Sequence, residues 1–242
     1  MLVVLLVAYV NRRAVGLSQE TCQQYNQLLG FQQNVQNMNE YLESFKSYIS
    51  ELSPISEVEW NRSVSLCNIK KYNEKEIIHS QGEVSDSIMF LCDGLARSYL
   101  IDTEGRDFTW SVHFNAPESN IKNLFVVDYA SFIKSEPSKL GFEALQNTTV
   151  VKINKEDVYS LYSSSHYWSN IGRVISEMAY YFTHHRTLSL LTQSAKERYE
   201  NLVSENISFI ENVPQYYVAS YLGITPQSLS RLKKEVRITK CE

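Results

Sequence analysis

The 242-residue sequence has little glycine and little proline, 8 and 5 residues respectively. That scarcity excludes collagen-like and low-complexity architectures, and 43% hydrophobic with 12% aromatic residues excludes a wholly disordered chain. Cysteine is sparse too: Cys22, Cys67, Cys92 and Cys241 form no C-x-x-C pair and no Cys/His cluster at zinc spacing. Reduced thiols in a cytoplasmic protein are expected, with no metal site, no iron–sulfur cluster and no other cofactor. There is no excess of positive charge: the net charge of −4 excludes a protein that coats nucleic acid through bulk charge, while leaving room for a local basic patch. No apolar run reaches the roughly 20 residues that span a bilayer.

Catalytic signatures are missing as well. The sequence contains no G-x-S-x-G, no Walker A and no dinucleotide-binding glycine pattern. A metal-dependent cupin would need paired histidines on neighbouring strands, and His79 and His113 stand isolated from one another. The chain is expected not to be an enzyme, with no catalytic residues.

What is present begins with MLVVLLVAYV, an apolar stretch followed, rather than preceded, by Arg12 and Arg13. Residues 17–37 are rich in Gln and Asn without helical or strand periodicity; from Met38 a helical stripe runs through Tyr41, Leu42, Phe45, Ile49 and Leu52. Residues 1–37 therefore read as an extra N-terminal segment, non-native or disordered, with a short membrane-associated leader as the alternative.

From Cys67 to Asn154 short apolar or alternating runs follow one another: CNIKKY, EIIHS, DSIMFLC, LARSYLID, RDFTWSVHF, KLGFEAL and TVVKI. Turns at Gly82, Gly94 and Gly105 separate the earlier ones, predicting antiparallel strands in a barrel or double sheet. Asn154 is placed to cap a short helix, NKEDVYSLY. A long helix is predicted over 167–193, with one stripe through Ile171, Val174, Met178, Tyr181, His185, Leu188 and Thr192 and a second through Ile175, Ala179, Phe182 and Leu190. Two apolar faces call for cover on two sides, by the strand domain and by a partner subunit. A buried helix of one larger domain is the alternative. His184 and His185 are packing or interface residues.

VPQYYVASYLGITPQSLSRLKKEV, residues 213–236, carries the sharpest signal. Pro214 opens a helix whose Val218, Ala219 and Leu222 face inward; Gly223 ends it, Ile224 plugs the core, and Thr225 with Pro226 starts a second helix whose inner face is Leu229 and Leu232. Such a pair places its second helix in a DNA major groove. Its outer side offers Gln227, Ser228, Ser230, Arg231 and Lys234, with Thr225 and Lys233 beside them as further DNA-binding candidates. Gln and Arg suit base edges; Thr, Ser and Lys suit phosphates. The last 48 residues hold seven Lys/Arg and six Asp/Glu, so the chain's acidity lies in the preceding part.

AKERYENL and VASYLGITPQSLSRLKK, within 195–234, are similar to the A-x-x-R-Y-x-x-L and I-A-x-x-L-G-[IV]-[ST]-x-x-x-[LV]-[ST]-R patterns of the cAMP-receptor-protein/fumarate-nitrate-regulator (Crp/Fnr) transcription factors. QGEVSDSIMFLCDGLARSYL resembles the strand-turn-strand of that family's cyclic-nucleotide-binding fold. The resemblance covers Met38 to the end. It implies an α+β protein: an N-terminal β jelly-roll effector domain over 38–165, a dimerisation helix over 166–193, and a C-terminal winged helix-turn-helix over 194–242.

Departures from the family matter equally. Members that bind cyclic nucleotides carry a Gly-Glu pair and an Arg in a phosphate-binding cassette; residues 123–145 have neither. Lys134 and Lys139 lack the bidentate fork of Arg, so weak or no cAMP binding is expected. Ser131 and Ser138 are the weak effector-pocket candidates. Pro226 stands where some members have a base-contacting Arg, so the operator cannot be borrowed from them. The expected protein is a cytoplasmic homodimeric regulator, off the membrane. Its partners are double-stranded promoter operator DNA, RNA polymerase and an unknown small-molecule effector other than cAMP. A cyclic-nucleotide-fold sensor or adaptor that does not bind DNA is the alternative.

Overall fold

Glycine and short polar turns cut the middle of the chain into strands too short to form anything but a small double sheet, and that is what is found. The computed structural model describes residues 36, 38–115, 123–205 and 207–239. The reading of the N-terminal apolar run lies outside them. The chain divides into two units, Met1–Glu40 and Tyr41–Glu242.

In the second unit, α1 covers 41–52 and α2 Glu57–Val64. The strands are β1 (Asn68–Tyr72), β2 (Ile77–His79), β3 (Ser87–Asp93), β4 (Leu95–Ile101), β5 (Asp107–Phe114), β6 (Phe125–Val126), β7 (Gly141–Ala144) and β8 (Thr148–Asn154). Helix α3 (Tyr129–Lys134) lies between β6 and β7; α4 (Lys155–Ser164) and α5 (His166–Thr192) follow β8. The rest is helical: α6 (Ala195–Glu205), α7 (Ile207–Asn212), α8 (Gln215–Tyr221) and α9 (Pro226–Thr239).

Two antiparallel four-stranded sheets, ordered β1-β8-β3-β6 and β2-β7-β4-β5, face each other as a jelly roll. Met89, Leu91, Ala96, Val126, Phe142 and Val150 fill the space between them. The tight β3–β4 connection depends on Gly94, whose φ of 97° is in the left-handed region and whose Cβ would meet the Asn147 carbonyl oxygen at 2.4 Å. A second core joins α1 to the outer side of β3: the rings of Phe45 and Tyr48 pack tilted against Phe90 at 5.1 and 5.3 Å, and Trp60, Trp168 and Ile171 complete it. The helical stripe through Phe45 and Ile49 thus packs as its spacing predicts.

Two expectations need correction. Asn154 occupies the N-cap position of α4 but makes no side-chain cap hydrogen bond. It is still the last residue of β8, paired with Ser87, and the Lys155 amide donates to the Asp86 carbonyl at 2.8 Å instead. The wing of a winged helix-turn-helix also has no counterpart among the described residues, where no strand follows β8; the short segment before α8 folds as α7, with Phe209 and Ile210 buried in the helical core.

On α5, Trp168, Ile171 and Gly172 are buried. Toward its C-terminal half the helix stands more open, with Tyr181 58% and Leu188 44% exposed on the first stripe.

Candidate nucleic-acid interface

Helix α8 starts after Pro214, and its apolar residues Val218 and Ala219, with Leu222 just beyond it, are fully buried. Each fully buried Val or Leu side chain stabilises by about 1.5–3 kcal/mol. Ala219 contributes closeness rather than area, since its small side chain lets α9 cross near the backbone. Gly223 then turns the chain at φ 68°, and its amide donates to the Ser220 carbonyl at 3.0 Å. Half-buried Ile224 packs into the same core as Leu229, which is 1% exposed. The Thr225 hydroxyl accepts from the Ser228 amide at 3.2 Å, an N-cap for α9.

This geometry decides what each candidate can touch. At about 100° per residue, Gln227, Arg231 and Lys234 fall within an arc of about 60° opposite Leu229, and all three are exposed. Ser230 is exposed on the flank. Thr225 and Ser228 are bound to each other, hydroxyl to hydroxyl at 3.0 Å, so they hold the helix start. Lys233 points back toward α8 and donates to the Gln215 side chain. The structure therefore gathers Gln227, Arg231 and Lys234 on one outward face and sets Lys233 on the other side of the helix.

The unit is held from beneath. Arg198, the Arg of the A-x-x-R-Y-x-x-L pattern, donates from Nε and Nη2 to the Leu222 carbonyl at 3.2 and 2.8 Å, tying the end of α8 to α6. Tyr199 and Leu202 of the same pattern are buried in the helical core. Lys196 pairs with Glu235 at 2.7 Å across α6 and α9. Arg186 of α5 donates to the carbonyls of Trp110 and Tyr221 and stacks on the Tyr221 ring at 3.7 Å. The Ser220 hydroxyl accepts from the Thr109 amide at 2.8 Å and donates to the Asp107 carbonyl at 3.2 Å, so α8 sits against β5. Sequence reasoning missed Arg186 and the docking role of Ser220, because their partners lie 35 and 76, and 111 and 113, residues away.

The cassette between β6 and β7 is closed on itself. One Asp128 oxygen accepts from the amides of Ala130 and Ser131 at 3.0 and 3.3 Å, and the other from the Ser138 hydroxyl and the Lys139 amide at 2.7 and 3.3 Å. The helix N-terminus where an external anion would seat already holds a carboxylate. Ser131 accepts from the Ser85 amide and donates to the Glu136 carbonyl at 2.9 and 2.6 Å. Ser131 and Ser138 are 3% and 2% exposed, and both hydroxyls are already hydrogen-bonded, to the cassette itself and, for Ser131, to Ser85. No sequence pattern distinguished Asp128 from an ordinary helix cap.

No helix among the described residues is long and apolar enough to cross a membrane. No protein-family model and no curated protein matches the sequence. Solved structures do match in shape. FixK2 from Bradyrhizobium japonicum aligns with TM-score 0.59 at 15% identity, over 72% of this chain and 86% of that one. CLP from Xanthomonas campestris, described as a c-di-GMP responsive global regulator, aligns with TM-score 0.56 at 12% identity, over 76% and 93%. A structure from Eubacterium rectale, described as a transcriptional regulator of the crp/fnr family, aligns with TM-score 0.58 at 14% identity, over 76% and 85%. The jelly roll, the long helix and the terminal helix pair together give this chain the fold of the Crp/Fnr regulators.

Proposed function

We propose that this chain is a sequence-specific DNA-binding transcription regulator of the Crp/Fnr type rather than an enzyme, acting as a homodimer in the cytoplasm. The observation that carries the reading is the outward face of α9: a Gln, an Arg and a Lys exposed within one arc, on a helix capped by Thr225 and backed by a buried core. Gln227 and Arg231 are suited to base edges and Lys234 to a phosphate. The dimer reading is supported by α5, where Tyr180, Tyr181 and Leu191 are 72%, 58% and 77% exposed, an apolar surface that a second copy of the helix would cover. Two recognition helices related by the two-fold would meet operator half-sites about one DNA turn apart. RNA polymerase is the expected protein partner at the promoter. The self-filled cassette supports an effector other than cAMP.

The test is a gel shift with DNA flanking the chain's own gene. Salt-sensitive, competitor-resistant binding by the dimer at low-micromolar protein supports the reading. No shift with any such fragment would favour an adaptor that uses the same fold without DNA.

A further inference from the structure

Arg186 and Arg198 line one cavity of about 370 Å3 between β5, α5 and the helical unit. Its other walls include Trp110, Phe182, Leu202 and Phe209. The acceptors of these guanidiniums are neutral backbone carbonyls: Trp110 and Tyr221 for Arg186, Gln193 and Leu222 for Arg198. Neither arginine forms an ion pair among the described residues. Glu205 lies on the cavity wall, exposed, and pairs with neither.

Arg stays charged in proteins, and a partly buried charge without a counter-ion is costly; both guanidiniums are half-buried. Burial lowers the Arg186 pKa from its ordinary value; Tyr221 opposes that fall and the neighbouring Arg198 charge adds to it. The C-terminal carbonyls of α8 and α5 together offer at most about one negative charge to set against two guanidiniums. The cavity is therefore electropositive and short of a counter-ion. Its size falls within the roughly 300–1,000 Å3 of small-molecule sites, and the planar fork of Arg matches carboxylate or phosphate.

We infer that this cavity binds a small anionic molecule with an aromatic or apolar body, its carboxylate or phosphate seated on Arg186 and Arg198. Both arginines also hold the last carbonyls of α8, so an anion that takes over their N–H groups loosens the helix that docks the DNA-reading unit on β5. This consequence, unlike the binding itself, rests on the regulator reading.

Isothermal titration of the full chain, without DNA, tests the site with phenyl phosphate and benzoate against neutral benzyl alcohol. At least one anion should bind about tenfold more tightly than the alcohol, and more weakly as salt rises. Which anion binds separates a phosphate ligand from a carboxylate one. Ser189→Glu, one turn from Arg186 on the cavity wall, supplies an internal counter-ion and should cut binding about tenfold with no loss of thermal stability; Thr183→Glu does the same from the other side if that variant folds poorly. The Arg231→Ala/Lys234→Ala double variant should keep binding. Equal affinity for anion and alcohol, no binding of either anion, binding that survives both glutamates, or binding lost with Arg231 and Lys234 would each overturn the site. A gel shift unchanged by a bound anion would overturn the coupling. Anion binding by a protein that shifts no DNA would keep the site and reject the regulator reading.

Discussion

The guanidinium of Arg97 in β4 lies 4.3 Å from the ring centroid of Tyr217 in α8, so a buried cation of the jelly roll is shared with the helix-turn-helix. Arg97 is 4% exposed, bonded to Asp107 through both Nη atoms at 2.7 Å and to Glu143 at 2.9 Å, with Tyr99 at 4.4 Å. Arg97→Ala leaves two partly buried carboxylates unpaired and should cost about 3–5 kcal/mol in denaturant unfolding. Tyr217→Leu removes only the ring and should cost about 1 kcal/mol, with faster hydrogen exchange along β5.

His113 gives the fold a pH dependence. It is 4% exposed, its Nε2 lies 3.4 Å from the Ser98 hydroxyl, and burial pushes its pKa down to about 4 against the opposing pull of the Asn123 and Phe125 carbonyls. The unfolded chain, with an ordinary His pKa near 6.5, binds the proton first. Stability should thus fall by about 3 kcal/mol as pH drops from about 6.5 to 4, and flatten below. Urea midpoints across that range check it, and His113→Gln should remove the slope.

Gly94→Ala should be more damaging than any surface change. A φ of 97° and a Cβ 2.4 Å from the Asn147 oxygen combine left-handed strain with a backbone clash. A loss of about 2 kcal/mol or more, read as a lower denaturation midpoint at unchanged slope, is expected.

On the proposed function, the face of α9 should make two kinds of DNA contact. Arg231→Ala should cost about 1–3 kcal/mol and relax preference at one base pair. Lys234→Ala should weaken all sequences alike and reduce the salt slope by about one ion. Fluorescence anisotropy with operator and scrambled DNA at several salt concentrations distinguishes them, and intact selectivity in Arg231→Ala would show that the helix is seated in another register.

Asp128 should stabilise the cassette, and the closed cassette should not take up cAMP. Asp128→Ala removes a cap and two further hydrogen bonds, costing about 1–2 kcal/mol in thermal unfolding. Titration of the native chain with cAMP should show no micromolar binding.

Much of this architecture is local, and the local part was legible. Gly94 and Gly105 mark connections that only positive φ allows, and they separate β3 from β4 and β4 from β5 as read. Thr225, Gly223 and Leu229 set the helix pair within a few residues of one another, so spacing alone defined it. The rest is written between distant residues. In LARSYLID nothing marks Arg97 as inward, because Glu143, its far partner, is 46 residues away. Ser131 and Ser138 looked available from sequence because neither Asp128 nor Ser85 could be seen closing on them. The two-residue β6 is too short to show alternation; only its pairing with Met89 and Phe90 makes it a strand.

Strand β5 is the outermost strand of its sheet, and the amide of Thr109, which has no further strand to meet, is taken by the Ser220 hydroxyl. The terminal helix pair thereby acts as guard of a sheet edge. Any state in which α8 swings clear bares a row of backbone donors and acceptors that another chain can extend. Freedom of the terminal helix pair is therefore limited by self-association: the longer the protein stays open, and the more of it there is, the more it risks joining sheet to sheet.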